Sequence, residues 1–216
     1  MYYQIKALVL NSSQSSESDK HVTLYTYQWG KVKAVVPSAK KIAAKLNAAT
    51  EPLTESELMV FQNHQSVRPK VTGAQIINNN SKIKTDFKRN LYALYACEVC
   101  DKLAPFNFEN SDKYELLARV WEVLADCKFP QRAVVAFVLR FLKLSGYGFA
   151  DYLKNNASLD KNTELLIRKL SNCRGEDVDN IGDIDDNKIW LYVETYLTNY
   201  VKRPSVGVFL KKINLT

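Results

Sequence analysis

The stretch Glu17–Pro52, ESDKHVTLYTYQWGKVKAVVPSAKKIAAKLNAATEP, predicts a β-hairpin that leads into a basic loop. Apolar residues recur at every second position on both sides of a turn at residues 28–31, as in half-buried strands. Pro37 ends the second strand, because proline lacks the N–H that a strand ladder needs. The predicted inward positions are Val22, Leu24, Thr26, Val32, Ala34 and Val36.

The same stretch is strongly basic. From Lys20 to Ala49 it holds six lysines and no carboxylate. A strand pair that ends in uncompensated positive charge offers a place for a phosphate backbone. An ordinary solvated basic loop accounts for the charge equally well, so charge alone leaves the two interpretations open.

The surrounding residues extend the strand pattern to the first part of the chain. Strands are predicted at residues 2–10, 53–63 and 67–77, with a polar loop at residues 11–18 and a turn of helix near residues 42–46. About five strands in some 80 residues, with no long helix among them, are typical of a small closed barrel.

After residues 78–81 (NNNS) the period becomes helical, which predicts two domains, 1–79 and 80–216. A single helix is expected over residues 82–103, with an apolar residue at every fourth position. Ser111 is expected to cap the next helix, and Ser205 the last one. Further helices are predicted at residues 131–145, 162–170 and 187–201. The first two apolar stripes are Phe87, Leu91, Tyr95, Val99, Leu103 and Tyr114, Leu117, Trp121, Leu124.

The helix predicted at residues 131–145 carries an aromatic stripe beside a basic one. This combination suits an acidic peptide with an aromatic end. Periodicity alone favours a simpler interpretation, a core helix with a solvated flank. The two stripes are Val134, Phe137, Val138, Phe141, Leu144 and Arg132, Arg140, Lys143.

Charge and composition narrow the class of protein. The formal net charge of +7 over 216 residues favours polyanionic partners. No run of about 18 apolar residues is present, so no membrane span is expected, and the N-terminus has no signal-peptide pattern. The acidic segment from Glu176 to Asp186 is interpreted as a solvated loop, and a calcium site there is a weaker alternative.

The cysteines and histidines give no catalytic or metal-binding pattern. Cys97-x-x-Cys100 falls within a predicted helix and favours buried reduced thiols over half a zinc site. His21 and His64 have no partner at ligand spacing, and no phosphate-binding or hydrolase motif occurs. Glu115 and Glu122 are expected on a helix surface. We therefore predict a binding module with no cofactor and no metal, and not an enzyme.

Three motifs, in order along the chain, resemble the RecO family of bacterial recombination mediators. The first is Glu17-x-Asp19-x-x-Val22-Thr23-Leu24-Tyr25-Thr26-x-x-x-Gly30-Lys31-Val32, followed by residues 37–41 (PSAKK) where the family has KGARR. The second is Phe137-x-Leu139-x-Phe141-Leu142-x-x-x-Gly146-Tyr147. The third is Lys202-Arg203-Pro204-Ser205-x-x-x-Phe209-Leu210. Two departures stand out: Ser38 replaces a glycine, and no four-cysteine zinc module follows Tyr147.

The resemblance implies an α+β protein, with an N-terminal five-stranded OB-fold barrel followed by an all-α helical domain. It implies binding of single- and double-stranded DNA, strand annealing in recombinational repair, and work with RecR to load RecA on strands coated by SSB. It also implies a pocket in the helical domain for the acidic C-terminal tail of SSB, and a bacterial cytoplasmic, nucleoid-associated protein.

Combining the charge pattern with the resemblance gives two sets of candidate residues. Phosphate contacts are expected from Lys31, Lys33, Lys40, Lys41, Lys45, Arg68, Lys70, Lys82, Lys84, Lys88 and Arg89, and base stacking from Tyr25, Tyr27 and Trp29, unless Tyr25 or Trp29 lies in the core. The SSB tail is expected to contact Arg132, Phe137, Arg140, Phe141, Lys143, Leu144 and Tyr147. The rival hypotheses are a protein-interaction adaptor whose barrel binds a protein and not DNA, and a hydrolase or nuclease with a dispersed site.

Overall fold

A computed structural model describes residues 1–14, 19–37, 43–63, 68–149, 160–182 and 185–214, with side chains for all of these except 43–45, 176 and 211–214. The chain forms two compact units. The first comprises Met1–Ser81 and Ala104–Ala118, and the second comprises Lys82–Leu103 and Arg119–Thr216. The boundary predicted after residue 79 lies beside the first crossing between units, but the sequence did not indicate that 104–118 returns to the first unit.

Five strands close into a barrel in the order β1-β2-β3-β5-β4. All neighbouring pairs are antiparallel except β3 and β5, which pair in parallel. A five-stranded Greek-key barrel of this order is an OB fold, so the predicted α+β class and the barrel are confirmed. The strands are β1 (Tyr2–Gln14), β2 (Asp19–Thr26), β3 (Gly30–Pro37), β4 (Glu55–Phe61) and β5 (Lys70–Asn78).

The barrel core follows from the alternation in the sequence. Side chains at every second position point inward, and the predicted inward residues of the hairpin are all buried. Leu46, from the short helix α1 (Ala43–Ala49), joins the same cluster. The core contains Ile5, Ala7, Val9, Val22, Leu24, Val32, Ala34, Val36, Leu46, Leu58, Val60 and Val71.

The first strand is longer than predicted. Asn11 to Gln14, expected in a polar loop, pair with Thr23 to Lys20 after a bulge that follows Val9. Backbone groups make the ladder hydrogen bonds, so exposed polar side chains are compatible with a strand. The polar-loop prediction is therefore wrong for these four residues, and the remainder of that loop lies outside the described residues.

The helices begin and end close to the predicted positions, with one clear exception. The single helix expected over 82–103 is two helices, because Asp86 accepts the backbone N–H of Arg89 and starts a new helix there. The helices are α2 (Ser81–Thr85), α3 (Phe87–Leu103), α4 (Ser111–Asp126), α5 (Pro130–Leu144), α6 (Lys161–Asn172), α7 (Asp186–Leu197) and α8 (Ser205–Asn214), with a 3-10 helix at Gly175–Asn180.

Helix α5 lies at the centre of the second unit and packs against α3, α6, α7 and the 3-10 helix. Every residue from Gln131 to Leu139 is buried. The core-helix interpretation is thus confirmed. Its solvated flank is wrong at Arg132, which is buried, but Lys143 of the same basic stripe is exposed. Helix α3 is likewise buried on more than its predicted stripe, and Phe87 at its start is exposed.

Several polar side chains accept backbone N–H groups at the starts of helices, where the sequence suggested other roles for them. Asn110, and not Ser111, caps α4, since its Oδ1 accepts the N–H of Lys113. In the acidic segment, Asp179 accepts the N–H groups of Lys128 and Phe129, and Asp185 caps α7. Asp185 is exposed, as the solvated-loop interpretation expects, and Asp179 is partly buried. Both aspartates also accept from backbone N–H groups that would otherwise be orphaned, a role that the interpretation did not include.

Cys97 and Cys100 are buried thiols, as predicted. Cys127 is buried as well, and Cys173 is partly buried. Within the described ranges, no three histidine, cysteine, aspartate or glutamate side chains gather as a metal-binding group. None of the helices traced in those ranges has both the length and the apolar character needed to cross a bilayer.

Candidate nucleic-acid interface

The outward side of the β2–β3 hairpin carries the residues that the sequence proposed for DNA. Cross-strand pairs place Tyr25 beside Lys31, Thr23 beside Lys33, and His21 beside Val35. Strand β5 continues this face, since Val35 pairs with Lys70. The hairpin therefore presents one polar, basic side to the outside of the barrel.

Segment 104–118 covers the turn end of this face. The Tyr25 hydroxyl donates to the Asn110 carbonyl at 3.3 Å, and the ring is only 1% exposed. The Lys31 ammonium lies 4.1 Å from the centre of the Phe106 ring, a cation–π contact, and the side chain is 5% exposed. Tyr25 is thus a core residue, the alternative that the sequence left open, and Lys31 is occupied within the chain.

Gly30 permits this close cover. It has a φ of +66°, and a Cβ at this position would overlap the Phe108 carbonyl. The N–H of Asn107 then donates to the Lys31 carbonyl at 2.9 Å. The glycine of the hairpin turn therefore serves both the turn and the docking of segment 104–118.

The other end of the face is open. Lys33, Arg68 and Lys70 are exposed and form what we term the basic strand face. Arg68 Nη1 lies 3.2 Å from His21 Nδ1, which places the guanidinium beside β2. Lys33 lies on β3, Lys70 is the first residue of β5, and Arg68 lies two residues before that strand. Together these three cations can meet successive phosphates of a DNA strand laid across the barrel. Lys40 and Lys41 lie outside the described residues, as does the side chain of Lys45.

Two aromatic candidates stay accessible near the hairpin turn. Trp29 is half-buried and meets Tyr3 edge to face, with ring centres 5.2 Å apart. Tyr27 is exposed and contacts Tyr114 edge to face at 5.5 Å. Both retain surface on which a base could stack.

A cleft of about 500 Å³ opens beside Trp29 at the mouth of the barrel. Its polar lining was missed by the sequence reasoning, because these residues come from separate loops and share no period. Only the polar–aromatic run after Pro105 gave any local signal. The lining residues are Tyr3, Gln28, Trp29, Val32, Gln62, Pro69, Asn107 and Glu109.

The remaining candidate cations belong to the second unit. Lys88 is exposed, whereas Lys82 pairs with Asp126 at 2.9 Å. Arg89 donates to the Leu124 carbonyl and is half-buried, as is Lys84. An exposed ion pair is easily exchanged for another partner, so Lys82 and Lys88 are the more accessible of the four.

The residues proposed for the SSB tail fall into a buried group and an accessible group. Arg132 is 5% exposed, pairs with Asp186 at 2.7 Å and donates to the Ile181 carbonyl at 2.7 Å. Phe137 and Phe141 pack against each other in the core, with ring centres 5.4 Å apart. Arg132, Phe137 and Phe141 are therefore too deeply buried to contact a peptide on the surface.

The accessible group lies at the C-terminal end of α5. Lys143, Leu144 and Tyr147 are exposed, and Arg140 is half-buried with its Nε donating to the Ser171 carbonyl. Tyr147 stacks on Tyr200 with ring centres 4.3 Å apart. We term Arg140, Lys143, Leu144 and Tyr147 the α5 end surface. The sequence reasoning did not include Tyr200, which is distant in the chain.

These features define a class of protein, in which an OB-fold barrel precedes a helical unit. Two family models match the chain in the same order. "Recombination protein O N terminal" covers residues 1–80, and "Recombination protein O C terminal" covers residues 84–150. The chain belongs to the RecO family.

Curated relatives agree with this assignment. "DNA repair protein RecO" of Heliobacterium modesticaldum is 33% identical over 148 residues, 67% of this chain and 52% of the relative. The protein of that name from Dehalococcoides mccartyi is 23% identical over 201 residues, which cover 89% of this chain and 78% of the relative. The protein of that name from Listeria monocytogenes is 28% identical over 141 residues, which cover 65% of this chain and 54% of the relative. The chain thus spans about half the length of the Heliobacterium and Listeria relatives.

Proposed function

We propose that this protein is a DNA-binding mediator of recombinational repair that performs no chemical step of its own. It binds single- and double-stranded DNA and anneals complementary strands. The observation that carries the proposal is the basic strand face, where three exposed cations lie on β3 and at the start of the neighbouring β5 of an OB barrel. Membership of a family whose relatives are named DNA repair proteins supports it.

The mechanism follows from electrostatics. Two complementary strands repel each other, and cations that neutralise their phosphates lower that barrier while leaving the bases free to pair. Lys33, Arg68 and Lys70 supply the positive charge on the barrel, and Lys40, Lys41 and Lys45 extend it along the chain. Stacking on Trp29 or Tyr27 contributes roughly 1–3 kcal/mol per base and is tolerant of sequence.

We further propose that the α5 end surface receives the acidic C-terminal tail of SSB. Leu144 and Tyr147 provide an exposed apolar contact, and Lys143 and Arg140 lie on the same helix end. Charge-assisted hydrogen bonds to carboxylates complement an aromatic side chain placed against the tyrosine. Together with RecR, the protein then promotes loading of RecA on SSB-coated DNA in the bacterial cytoplasm, at the nucleoid.

The DNA proposal is tested by fluorescence anisotropy with labelled single-stranded DNA at about 50 and 200 mM salt. Replacing Lys33, Arg68 and Lys70 by glutamine removes three phosphate contacts. The slope of log affinity against log salt should then fall by about 2, at about 0.7 per contact for single strands.

The matched control replaces Lys128, Lys161 and Lys169, three exposed lysines of the second unit, by glutamine. Net charge changes by the same amount, so an equal fall in slope would contradict a specific role for the basic strand face. Absence of DNA binding by the unaltered protein would favour the adaptor hypothesis. Cleavage that depends on added Mg²⁺ would favour the nuclease.

The tail proposal is tested with a labelled peptide that is acidic and ends in phenylalanine. Arg140→Glu and Lys143→Glu should each weaken peptide binding at least several-fold, because attraction becomes repulsion, while binding of bare DNA is retained. Lys161→Glu is the control on a different helix. Normal peptide binding by both α5 variants would place the tail elsewhere.

A further inference from the structure

The cleft at the barrel mouth combines an aromatic wall with a polar rim. Its volume of about 500 Å³ lies within the range of small-ligand pockets, roughly 300–1,000 Å³, and barrel mouths are frequent places for them. Val32 and Pro69 are buried and form the apolar floor, with Trp29 and Tyr3 beside them. All of its lining residues belong to the first unit.

Trp29 is held in place before any ligand arrives. Its backbone N–H donates to Thr26 Oγ1 at 3.0 Å, and that hydroxyl donates to the Gly30 carbonyl at 2.9 Å. The indole packs on the barrel core and is braced edge to face by Tyr3. Holding the ring in one position lowers the entropy lost when a flat ligand stacks on it.

The rim brings carboxamide groups and one carboxylate to the same cleft. Gln28 Oε1 accepts the N–H of Lys6 at 3.2 Å, which directs the amide nitrogen of Gln28 away from that contact. The backbone of Asn107 is held in place, because its N–H donates to the Lys31 carbonyl. Glu109 lies two residues further on and is exposed. Amide nitrogens donate hydrogen bonds, whereas an ionised carboxylate only accepts them.

This donor and acceptor set matches one edge of a pyrimidine. Cytosine presents an amino donor next to ring acceptors, while thymine presents a carbonyl acceptor at the position of that amino group. A carboxylate accepts from the cytosine amino group and repels the thymine carbonyl. Glu109 supplies the carboxylate of this cleft.

We propose that the cleft takes one extruded base of single-stranded DNA, stacks it on Trp29, and prefers cytosine to thymine through Glu109. The inference rests on the proposed DNA-binding function and adds base preference to it. Arg68 and Lys70 flank Pro69 of the cleft floor in sequence, so the phosphates beside the extruded base remain near positive charge.

Tryptophan fluorescence and affinity together test this proposal. Trp121 and Trp190 are buried, so Trp29 is the tryptophan that a base can reach and quench. Oligonucleotides of about 12 nucleotides, within the site sizes of OB folds, are compared as all-cytosine, all-thymine and abasic strands with equal phosphate number. The cytosine strand should quench Trp29 and bind roughly three- to tenfold more tightly than the thymine strand, the effect of about one hydrogen bond.

The variant Glu109→Gln should lose most of that preference and keep its salt dependence, because no phosphate contact is removed. Glu115→Gln, an exposed carboxylate outside the cleft, is the matched control and should keep the preference. Free cytidine against free thymidine repeats the quenching comparison without any variant.

The outcomes separate this inference from the function beneath it. Equal affinity for all three strands, with Trp29 unquenched, would overturn the base site while leaving DNA binding intact. Quenching without a difference between cytosine and thymine, or a preference that survives Glu109→Gln, would overturn the role of Glu109. Failure of every strand to bind would overturn the proposed function and the base site with it.

Discussion

The β2–β3 hairpin and helix α5 differ sharply, although both combine aromatic and basic residues in the sequence. On the hairpin, Lys33 stays exposed, with its ammonium 5.5 Å from the centre of the Phe106 ring, while Lys31 at the turn end is covered. On α5, the first basic residue, Arg132, is as deeply buried as the aliphatic residues around it. Only the C-terminal end of α5 retains an exposed cation, Lys143.

The difference comes from the number of neighbours that each element has. A barrel strand has two sides, and packing the inner one leaves the outer one open unless another segment covers it. A central helix is surrounded, so a position that the period assigns to a solvated flank can face another helix. A basic residue on such a helix then requires an internal partner, and Asp186 provides it for Arg132.

The largest effect is expected from Arg132→Ala. Removing the guanidinium leaves the Asp186 carboxylate and two backbone carbonyls without their donor. Breaking a buried pair on one side costs about 3–5 kcal/mol, so the free energy of unfolding should fall by that order. Chemical denaturation followed by circular dichroism measures it.

The comparison requires the opposite result on the hairpin. Lys33→Ala removes an exposed cation and should change the free energy of unfolding by no more than about 0.5 kcal/mol. An equal loss of unfolding free energy in Arg132→Ala and Lys33→Ala would contradict the buried, paired role of Arg132 on α5 and the exposed one of Lys33 on the hairpin.

An intermediate loss of unfolding free energy is expected from Gly30→Ala, which disturbs the packing of segment 104–118 on the hairpin. The new Cβ would overlap the Phe108 carbonyl and occupy a left-handed backbone conformation. Strain of this kind costs about 1–3 kcal/mol. Hydrogen exchange should show that the Asn107 N–H, bonded to the Lys31 carbonyl, loses protection.

Gly182→Ala is the control, since a Cβ there meets nothing within 4 Å. Retained protection at Asn107 in Gly30→Ala would mean that the turn glycine does not govern the docking of segment 104–118.

The smallest effect concerns the rate at which buried thiols react. Burial raises the pKa of Cys127 to about 11, so at pH 8 this group is a neutral, unreactive thiol. Its labelling rate should rise about tenfold per pH unit between pH 7 and 9, as the thiolate fraction does. Cys173, less buried, should react before it.

Burial also raises the pKa of Cys97 well above its usual range. Cys97 in α3 should therefore react with a thiol-labelling reagent only when the second unit opens, and sooner in Arg132→Ala than in Lys33→Ala. Rapid labelling of Cys97 in the unaltered protein would contradict the packing of α3 against α5.

The barrel could be predicted from the sequence because its signal is local. Alternation along Val22 to Val36 identified the inward residues, and Pro37 marked the end of β3. The cover by segment 104–118 could not be predicted, since residues some 80 positions apart meet there without any shared period. Tyr25 and Lys31 therefore looked available to DNA and are not.

The helical unit shows the complementary limit. Helix positions were predicted within a few residues, but the cap of α4 was assigned to Ser111 where the neighbouring Asn110 makes the bond. The partners of Arg132 lie in the segment that looked like a solvated acidic loop. Charge in a sequence indicates where ions occur, and the fold decides whether they meet each other or solvent.

The return of residues 104–118 to the barrel has a consequence for synthesis of the chain. When Ser81 leaves the ribosome, the residues of all five strands have been synthesised. The Tyr25 hydroxyl still lacks its acceptor, the Asn110 carbonyl, and Lys31 still lacks the Phe106 ring. The 22 residues Lys82–Leu103 of the second unit emerge in between. The cover of the hairpin is therefore made only after part of the second unit, and a chain cut at residue 81 would lack both contacts.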